Sequence, residues 1–264
     1  MPYAGEMHYR RSARGSEKII PLVLIHGAGG SYLHWPAEIR HLAGEDVLAI
    51  DLPGHGASRG EEKETISAYM ASVLELMDYL KIGQAVIAGH SMGSAIAQRL
   101  SLNSPERVRG LILIGAGAKL SVHPKLIQYC RSERTYPEAV SQVMEWSFSP
   151  EAEKRLVELA RDRMTEVPAS VLLADFKACD AFDVRNEVQE IKQPTLVICG
   201  EDDQMTPERF SQFLVDKLAL AHLAIIPHAG HMVMLEQPET VAQLIKDFLN
   251  EINSDEKKPD RLVK

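Results

Sequence analysis

The sequence predicts an α/β fold with a mostly parallel central sheet, helices on both faces and a helical cap inserted between core strands. Short apolar runs alternate with helical patterns through residues 1–117 and again through residues 191–252. Residues 118–190 carry helical patterns without a convincing strand, and long insertions of this kind lie on loops and carry function. We therefore expect one core built from the first two ranges, a cap over its active face, and a charged, mobile tail at residues 253–264.

The individual elements are predicted from apolar runs of strand length and from apolar residues that recur on one helical face. In the core, strands are predicted at residues 19–25, 46–52, 108–114, 194–199 and 222–226, and just before Gly89. Helices are predicted at residues 32–42, 65–81 and 238–252, directly after Ser91, and from the loop after the strand at 194–199 to about residue 218. In the cap, helices are predicted at residues 137–146, 151–164 and 170–178. Because the carboxyl ends of parallel strands meet at one edge of a sheet, the loops that follow these strands should converge there.

The composition is that of an ordinary soluble globular protein, with 45% hydrophobic and 25% charged residues. The net charge of −8 and the lack of a basic run argue against a nucleic-acid partner. Cys130, Cys179 and Cys199 are widely spaced without a C-x-x-C pair, which indicates neither a disulfide framework nor a metal site. No apolar run reaches the roughly 20 residues of a membrane helix, and the first 18 residues hold no signal sequence. We expect a cytoplasmic protein with no membrane partner.

Two early loops contain residues that suggest chemistry. The segment His26-Gly27-Ala28-Gly29-Gly30 follows a strand, and its glycines let backbone N–H groups approach a substrate oxygen closely. A phosphate-binding loop is disfavoured because the G-K-[ST] ending is absent. Asp51 and His55 lie on a turn-rich loop, and we expect them to hold that loop through side-chain to backbone hydrogen bonds.

The segment Gly89-His90-Ser91-Met92-Gly93 lies between an apolar strand and a helix. The flanking glycines allow a sharp turn in which the serine adopts a strained backbone conformation. Such a turn lifts the Ser91 hydroxyl out of the sheet and beside the helix N-terminus, where backbone N–H groups favour developing negative charge. Ser91 is therefore the candidate nucleophile.

A serine hydroxyl is a poor nucleophile until a neighbouring base takes its proton, and that base needs an acid to orient it. The loop after the last strand offers His228 and His231 as bases. For the acid, Glu201, Asp202 and Asp203 follow the preceding strand, whereas Gly115-Ala116-Gly117, one strand earlier, contains no carboxylate. Spacing alone leaves both choices open.

Taken together, these segments resemble the α/β-hydrolase superfamily over nearly the whole chain outside the cap. The resemblance rests on His26-Gly27, the Asp51 to Ser58 loop, the serine segment, Gly200-x-x-Asp203-x-x-x-Pro207, and Gly230-His231. Ser94 stands where many relatives have glycine, a small departure in the first turn of the helix.

The resemblance implies particular roles for individual residues. The family pattern selects Asp203 as the acid and His231 as the base, so the triad would be Ser91, Asp203 and His231. In such enzymes the backbone N–H groups corresponding to Ala28 and Met92 form the oxyanion hole. The implied reaction is hydrolysis of a small-molecule carboxylic ester through an acyl-enzyme on Ser91, without a metal or organic cofactor.

Several related activities use the same parts. Lactonase, thioesterase, perhydrolase and carbon–carbon bond hydrolase activities remain open, as does a non-catalytic binding module on this fold. Within the cap, apolar side chains exceed what packing onto the core requires, and we expect some to line an acyl pocket of short to medium length. The predicted pocket residues are Leu126, Met144, Trp146 and Phe148.

Overall fold

An eight-stranded sheet forms the centre of the molecule in the computed structural model, which describes residues 2–12 and 19–255. The strands are β1 (Tyr3–Ala4), β2 (Met7–Arg11), β3 (Leu22–Ile25), β4 (Val47–Ile50), β5 (Ala85–His90), β6 (Val108–Ile114), β7 (Thr195–Gly200) and β8 (Ala221–Ile226). Their order across the sheet is β1-β2-β4-β3-β5-β6-β7-β8. The β1–β2 and β2–β4 pairs are antiparallel and all other pairs are parallel, so the predicted mostly parallel sheet is confirmed.

The central strands are apolar on both faces because helices cover both sides of the sheet. Every residue of β3, β4 and β5 is buried, which is the continuous hydrophobic pattern of a parallel sheet. The first two strands were not predicted. Strand β1 has only two residues, and β2 is largely polar. Strand β2 joins the sheet through antiparallel pairing with β4, a contact that local hydropathy does not encode.

The helices are α1 (Ala37–Arg40), α2 (Ile66–Tyr79), α3 (Met92–Asn103), α4 (Pro124–Tyr129), α5 (Tyr136–Ser147), α6 (Lys154–Thr165), α7 (Ala169–Asp180), α8 (Glu208–Lys217), α9 (Val233–Glu236) and α10 (Pro238–Asp255). At the start of α2, the Ala68 amide donates to the Thr65 hydroxyl at 3.1 Å. The helix predicted at residues 32–42 is instead a 3₁₀ turn at Tyr32–His34 followed by α1, because Pro36 stands between them in extended conformation.

Four helices, α4 to α7, lie between β6 and β7, where the sequence predicts the cap. The short helix α4 was not predicted separately. Its first residue is Pro124, whose fixed φ suits a helix start. The last helix, α10, continues to Asp255, so residues 253–255 are helical although they were predicted to belong to the mobile tail. Residues 256–264 lie outside the described residues, and within the described ranges no helix is long and apolar enough to span a membrane.

The start of helix α3 packs so closely against the strands that Gly89 and Gly93 have no space for a side chain. A Cβ on Gly93 would overlap the backbone carbonyl oxygen of Ile25, and a Cβ on Gly89 would overlap that of Gly93. This contact brings the N-terminus of α3 against the end of β3, beside the glycine-rich loop. Backbone atoms cannot move aside as the end of a flexible side chain can, so the fit depends on glycine.

We predict that Gly93→Ala lowers the free energy of unfolding by about 3 kcal/mol or more, the upper end of the cost of overpacking a core. Urea unfolding followed by circular dichroism measures this change. Gly83→Ala is the matched control, because a Cβ at Gly83 would meet no atom within 4 Å. Equal stabilities for the two variants would contradict the close contact between α3 and β3.

Candidate active site

Ser91 has a strained backbone at the junction of β5 and α3. Its φ of 52° and ψ of −114° fall where residues with side chains rarely lie. The turn is held from both sides. The Ser91 amide donates to the Ile114 carbonyl at 2.9 Å, and the Ser94 hydroxyl donates to the Ser91 carbonyl at 2.6 Å. The serine at position 94, where many relatives have glycine, thus adds a hydrogen bond to the turn.

His231 and Asp203 form a buried pair next to this turn. The His231 Nδ1 atom lies 2.8 Å from Asp203 Oδ2, and both residues are buried. A proton on Nδ1 that is donated to the carboxylate leaves Nε2 as the acceptor nitrogen. Nε2 is buried and makes no hydrogen bond with any described residue, so the Ser91 hydroxyl is not hydrogen-bonded to it in this structure. Catalytic hydrogen bonds often tighten only when the substrate is bound.

The Asp203 carboxylate is fixed by the loop that follows β7. The amides of Met205 and Thr206 donate to Oδ1 at 2.9 and 2.8 Å, and the Thr206 hydroxyl donates to Oδ2 at 2.8 Å. Burial raises the pKa of Asp203, but the charge of His231 and these hydrogen bonds outweigh it and lower the pKa to about 2. The carboxylate therefore stays ionised throughout the neutral range. Thr206 is a supporting residue that the sequence analysis did not identify.

His90 supports the loop that carries His231. Its Nε2 donates to the His231 carbonyl at 3.0 Å, and the two rings lie 4.8 Å apart. Burial, followed by the nearby positive charge of His231, lowers the pKa of His90, so its ring is neutral. Gly115, which has a φ of 54°, lies against the His231 ring, and a Cβ at this position would be 2.9 Å from ring atoms.

The competing residues lie elsewhere. His228 is exposed, and its Nδ1 is 3.1 Å from Glu151 Oε1. Asp202 accepts a hydrogen bond from the Ser149 hydroxyl at 2.7 Å. Both therefore contact the segment between α5 and α6 rather than the His231 ring, and Glu201 is exposed.

The two predicted oxyanion donors lie on segments that flank Ser91. Met92 is the first residue of α3, where backbone N–H groups have no partner within the helix. Ala28 lies on the loop after β3, and a Cβ on the neighbouring Gly27 would be 3.1 Å from Ser91 Cβ. Gly27, Ala28 and Ser91 all line one cavity.

That cavity has a volume of about 360 Å³ and lies between the sheet edge and the helices α4 to α7. Ser91, His231 and Thr206 line it, as do Leu126, Met144 and Trp146 of the predicted pocket, whereas Phe148 does not. Phe148 follows the end of α5 in extended conformation and is buried in the core, next to the Gly230 loop. No Asp, Glu, Lys or Arg is among the described residues that line the cavity.

A buried carboxylate from α7 reaches the loop that carries Ala28. Asp175 Oδ2 accepts the Gly29 amide at 2.8 Å and lies 2.8 Å from His55 Nε2, while Oδ1 accepts the Tyr69 hydroxyl at 2.6 Å. The other His55 nitrogen faces the Pro53 carbonyl at 2.9 Å, so both ring nitrogens donate and the ring is charged.

The environment of His55 supports this charge state. Burial lowers its pKa, but Asp175 outweighs burial and the pKa is raised. His55 holds its own loop through its contact with Pro53, as its position in a turn-rich segment predicts. The binding of the same ring to α7 was not predicted, because that contact joins residues 120 positions apart. Asp51 holds its own loop as predicted by accepting the Ala57 amide at 2.9 Å, and it also accepts the Tyr32 amide of the segment after β3 at 2.7 Å.

Comparison with known sequences agrees with this geometry. The profile of the alpha/beta hydrolase family matches residues 22–244. The chain belongs to this family. The resemblance found in the sequence motifs is thereby confirmed, and the strained serine and the His–Asp pair lie on segments inside the matched region.

Individual proteins also resemble this chain over most of its length. It is 30% identical to the dihydrolipoyllysine-residue acetyltransferase component of the acetoin cleaving system of Pseudomonas putida, over 89% of this chain and 65% of that protein. It spans only 57–65% of the length of this and other long relatives. An enol-lactonase from Burkholderia xenovorans superposes with a TM-score of 0.85 at 26% identity, covering 92% of this chain and 96% of the enzyme. A thermophilic esterase, 29% identical, superposes with a TM-score of 0.80 over 93% of this chain and 98% of its own.

We predict that Asp203→Asn slows the labelling of Ser91 by a fluorophosphonate on the order of 10⁴-fold, because an amide no longer fixes the His231 tautomer. Asp202→Asn is the matched control and should leave the rate almost unchanged, since Asp202 contacts Ser149. Mass spectrometry of the intact protein against time measures both rates. Similar losses in the two variants would show that the carboxylate was chosen wrongly.

We also predict that Asp175→Ala destabilises the protein by about 3–5 kcal/mol, because it leaves the buried charge of His55 without a partner. It should slow Ser91 labelling as well, since the Gly29 amide loses its acceptor. Asp180→Asn, an exposed carboxylate of the same helix, is the control. Urea unfolding and the labelling rate together test this, and an unchanged labelling rate in Asp175→Ala would limit the residue to stability.

Proposed function

We propose that this protein is a serine hydrolase that cleaves a carboxylic ester of short to medium acyl chain through an acyl-enzyme on Ser91. The observation that carries the proposal is the strained Ser91 turn, which lines one cavity together with His231, the base of the buried His231–Asp203 pair. A serine, a base and an orienting acid are the parts that acyl transfer requires. The esterase and the lactonase among its structural relatives support a reaction at a carboxylic acyl group.

The proposed mechanism assigns a role to each group. His231 Nε2 takes the proton of the Ser91 hydroxyl while the serine oxygen attacks the ester carbonyl carbon. The Ala28 and Met92 amides donate hydrogen bonds to the oxyanion as it forms. His231 then gives the proton to the departing alcohol oxygen, and it later activates the water that releases the acid from Ser91. Asp203 stays ionised and stabilises the imidazolium.

The cavity favours an uncharged, largely apolar substrate. Burying a charged group without a partner is costly, and the described lining residues supply no ionisable partner other than histidine and Cys179. A volume of about 360 Å³ lies at the lower end of the range for ligand sites, about 300–1,000 Å³. A small neutral ester fits these limits better than a triglyceride.

Hydrolysis of a lactone is the second candidate. It needs the same nucleophile, base and oxyanion donors, and the enol-lactonase from Burkholderia xenovorans superposes on 92% of this chain with a TM-score of 0.85. The alcohol of a lactone stays attached to the acyl group, so both parts must fit the cavity together. Comparing a lactone with an open-chain ester of equal carbon number distinguishes these candidates. The cytoplasmic location stays a prediction.

We predict that Ser91→Ala loses p-nitrophenyl butyrate hydrolysis by on the order of 10⁶-fold, as removal of a serine nucleophile does elsewhere. Thermal unfolding should be unchanged or slightly improved, because alanine removes only the hydroxyl. Ser254→Ala, at an exposed serine of α10, serves as the control. More than about a tenth of the activity remaining in Ser91→Ala would contradict the nucleophile assignment. Absence of turnover and of fluorophosphonate labelling in the unaltered protein would favour a binding module.

We further predict that kcat/KM rises with acyl chain length from acetate and then falls sharply once the chain meets the end of the cavity. Each buried methylene contributes about 0.8 kcal/mol, nearly fourfold in binding. A series of p-nitrophenyl esters from acetate to palmitate measures the profile. Met144→Trp should shift the maximum to shorter chains, because Met144 lines the cavity. A flat profile in the unaltered protein would indicate an open groove.

A further inference from the structure

His34 is a buried polar residue of the cavity to which the mechanism gives no role. It ends the 3₁₀ turn after the glycine-rich loop, is 7% exposed, and lines the same cavity as Ser91. A Cβ on Gly30 would lie 2.7 Å from His34 Nδ1, so the imidazole lies directly against the loop that carries Ala28.

The ring of His34 makes no hydrogen bond with any described residue, unlike the other imidazoles nearby. His26 Nδ1 is 2.8 Å from the Gly27 carbonyl, and its Nε2 accepts the Leu52 amide at 3.0 Å. His55 uses both nitrogens, as described above. The unpaired nitrogens of His34 are not sealed from solvent, unlike the unpaired Nδ1 of His90, and His34 lines the cavity. They are therefore accessible to a polar group of a ligand, which can supply the partner that polar groups in folded proteins usually have.

His34 is uncharged at neutral pH. Burial, followed by the positive charge of Arg163, lowers its pKa to about 4. A neutral imidazole offers one N–H donor and one acceptor nitrogen. The side chain of Arg163 is exposed and does not line the cavity, so no Lys or Arg among the described lining residues can pair with a substrate carboxylate. A neutral oxygen is therefore the matching ligand group.

The position of His34 indicates which half of an ester it contacts. The departing alcohol must lie within reach of His231, which protonates it. His34 lies instead along the oxyanion loop. Leu172 and Met164 cover this loop, since a Cβ on Gly29 would lie 3.0 Å from Leu172 Cδ1 and 3.6 Å from Met164 Cε. An acyl chain that leaves the carbonyl carbon on the side opposite the alcohol would extend towards this region.

We propose that His34 is a substrate-binding residue that hydrogen-bonds an uncharged oxygen, a hydroxyl or an oxo group, on the acyl chain of the ester. The proposal rests on the proposed function and narrows its substrate class to oxygenated, uncharged acyl esters. The surrounding apolar residues bind the hydrocarbon part, and His34 selects among chains of equal length by a single polar contact.

The test compares ethyl hexanoate with ethyl 3-hydroxyhexanoate, ethyl 4-oxohexanoate and ethyl 5-oxohexanoate, with acid release followed in a pH-stat. At least one oxygenated ester should have a kcat/KM about five- to a hundredfold above that of ethyl hexanoate, the effect of leaving one buried group unpaired. In His34→Leu this ratio should fall to about one. His34→Gln, which keeps a donor and an acceptor, should retain part of it.

His222→Leu is the matched control, because it removes an exposed imidazole of β8 that does not line the cavity. Its ratio should equal that of the unaltered protein. Thermal unfolding checks that His34→Leu is folded, and His34→Gln carries the test if it is not. Two further comparisons test where the oxygen binds and whether it must be uncharged. Butyl hexanoate against 2-methoxyethyl hexanoate tests an oxygen on the alcohol side. Monoethyl hexanedioate against ethyl hexanoate tests a charged acyl chain.

Four results would overturn the proposal: no preference for any oxygenated ester, a preference that persists in His34→Leu, a His34-dependent preference on the alcohol side, or a preference for the charged ester. Hydrolysis of ethyl hexanoate that depends on Ser91 but shows no preference refutes this inference alone. Absence of all ester hydrolysis refutes the proposed function instead. In that case, calorimetric binding of the same esters to the unaltered protein and to His34→Leu decides whether His34 selects the oxygenated chain.

Discussion

The strained φ of Ser91 depends on the close contact of α3 with the ends of β3 and β5. A non-glycine residue in such a conformation costs about 1–3 kcal/mol and persists only where the surrounding structure enforces it. Here Gly89 and Gly93 let backbone meet backbone, and the Ile114 carbonyl accepts the Ser91 amide. The result is a serine raised at the N-terminus of α3, beside the loop that carries Ala28. Because the neighbouring strands are parallel, the loops after β7 and β8 deliver Asp203 and His231 to the same edge.

A second constraint joins helix α7, between β6 and β7, to the loop that carries Ala28. The buried His55–Asp175 pair fixes α7 against the core, and the same carboxylate accepts the Gly29 amide. A buried ion pair is weak evidence for stability, since desolvation can cancel the attraction of the charges. Its value here is geometric, because it sets the distance between helix α7 and the loop that carries Ala28. The shape of the cavity and the position of the Ala28 amide are therefore coupled.

The distribution of charge around the cavity follows from the same packing. Asp203 is ionised but faces His231 and the Thr206 loop, and Asp175 is turned towards His55. Both carboxylates lie outside the cavity wall, which consists of apolar side chains, a few neutral polar groups and histidines. The two carboxylates thus contact imidazoles rather than the cavity. This charge distribution fits the neutral substrate that we propose.

Local sequence determined the parts of this protein whose chemistry depends on neighbours along the chain. The apolar runs gave the parallel strands, and the glycines around Ser91 gave the turn, because backbone sterics act over a few residues. Family motifs, rather than spacing, distinguished Asp203 from Asp202 and His231 from His228. Tertiary structure alone decided the antiparallel strands β1 and β2, the burial of Phe148 outside the cavity, the contact of Asp175 with His55 and Gly29, and the unpaired ring of His34. Apart from the β1–β2 pairing, which joins Tyr3 to His8, each of these depends on residues far apart in sequence, and no local pattern records which distant side chain fills a given space.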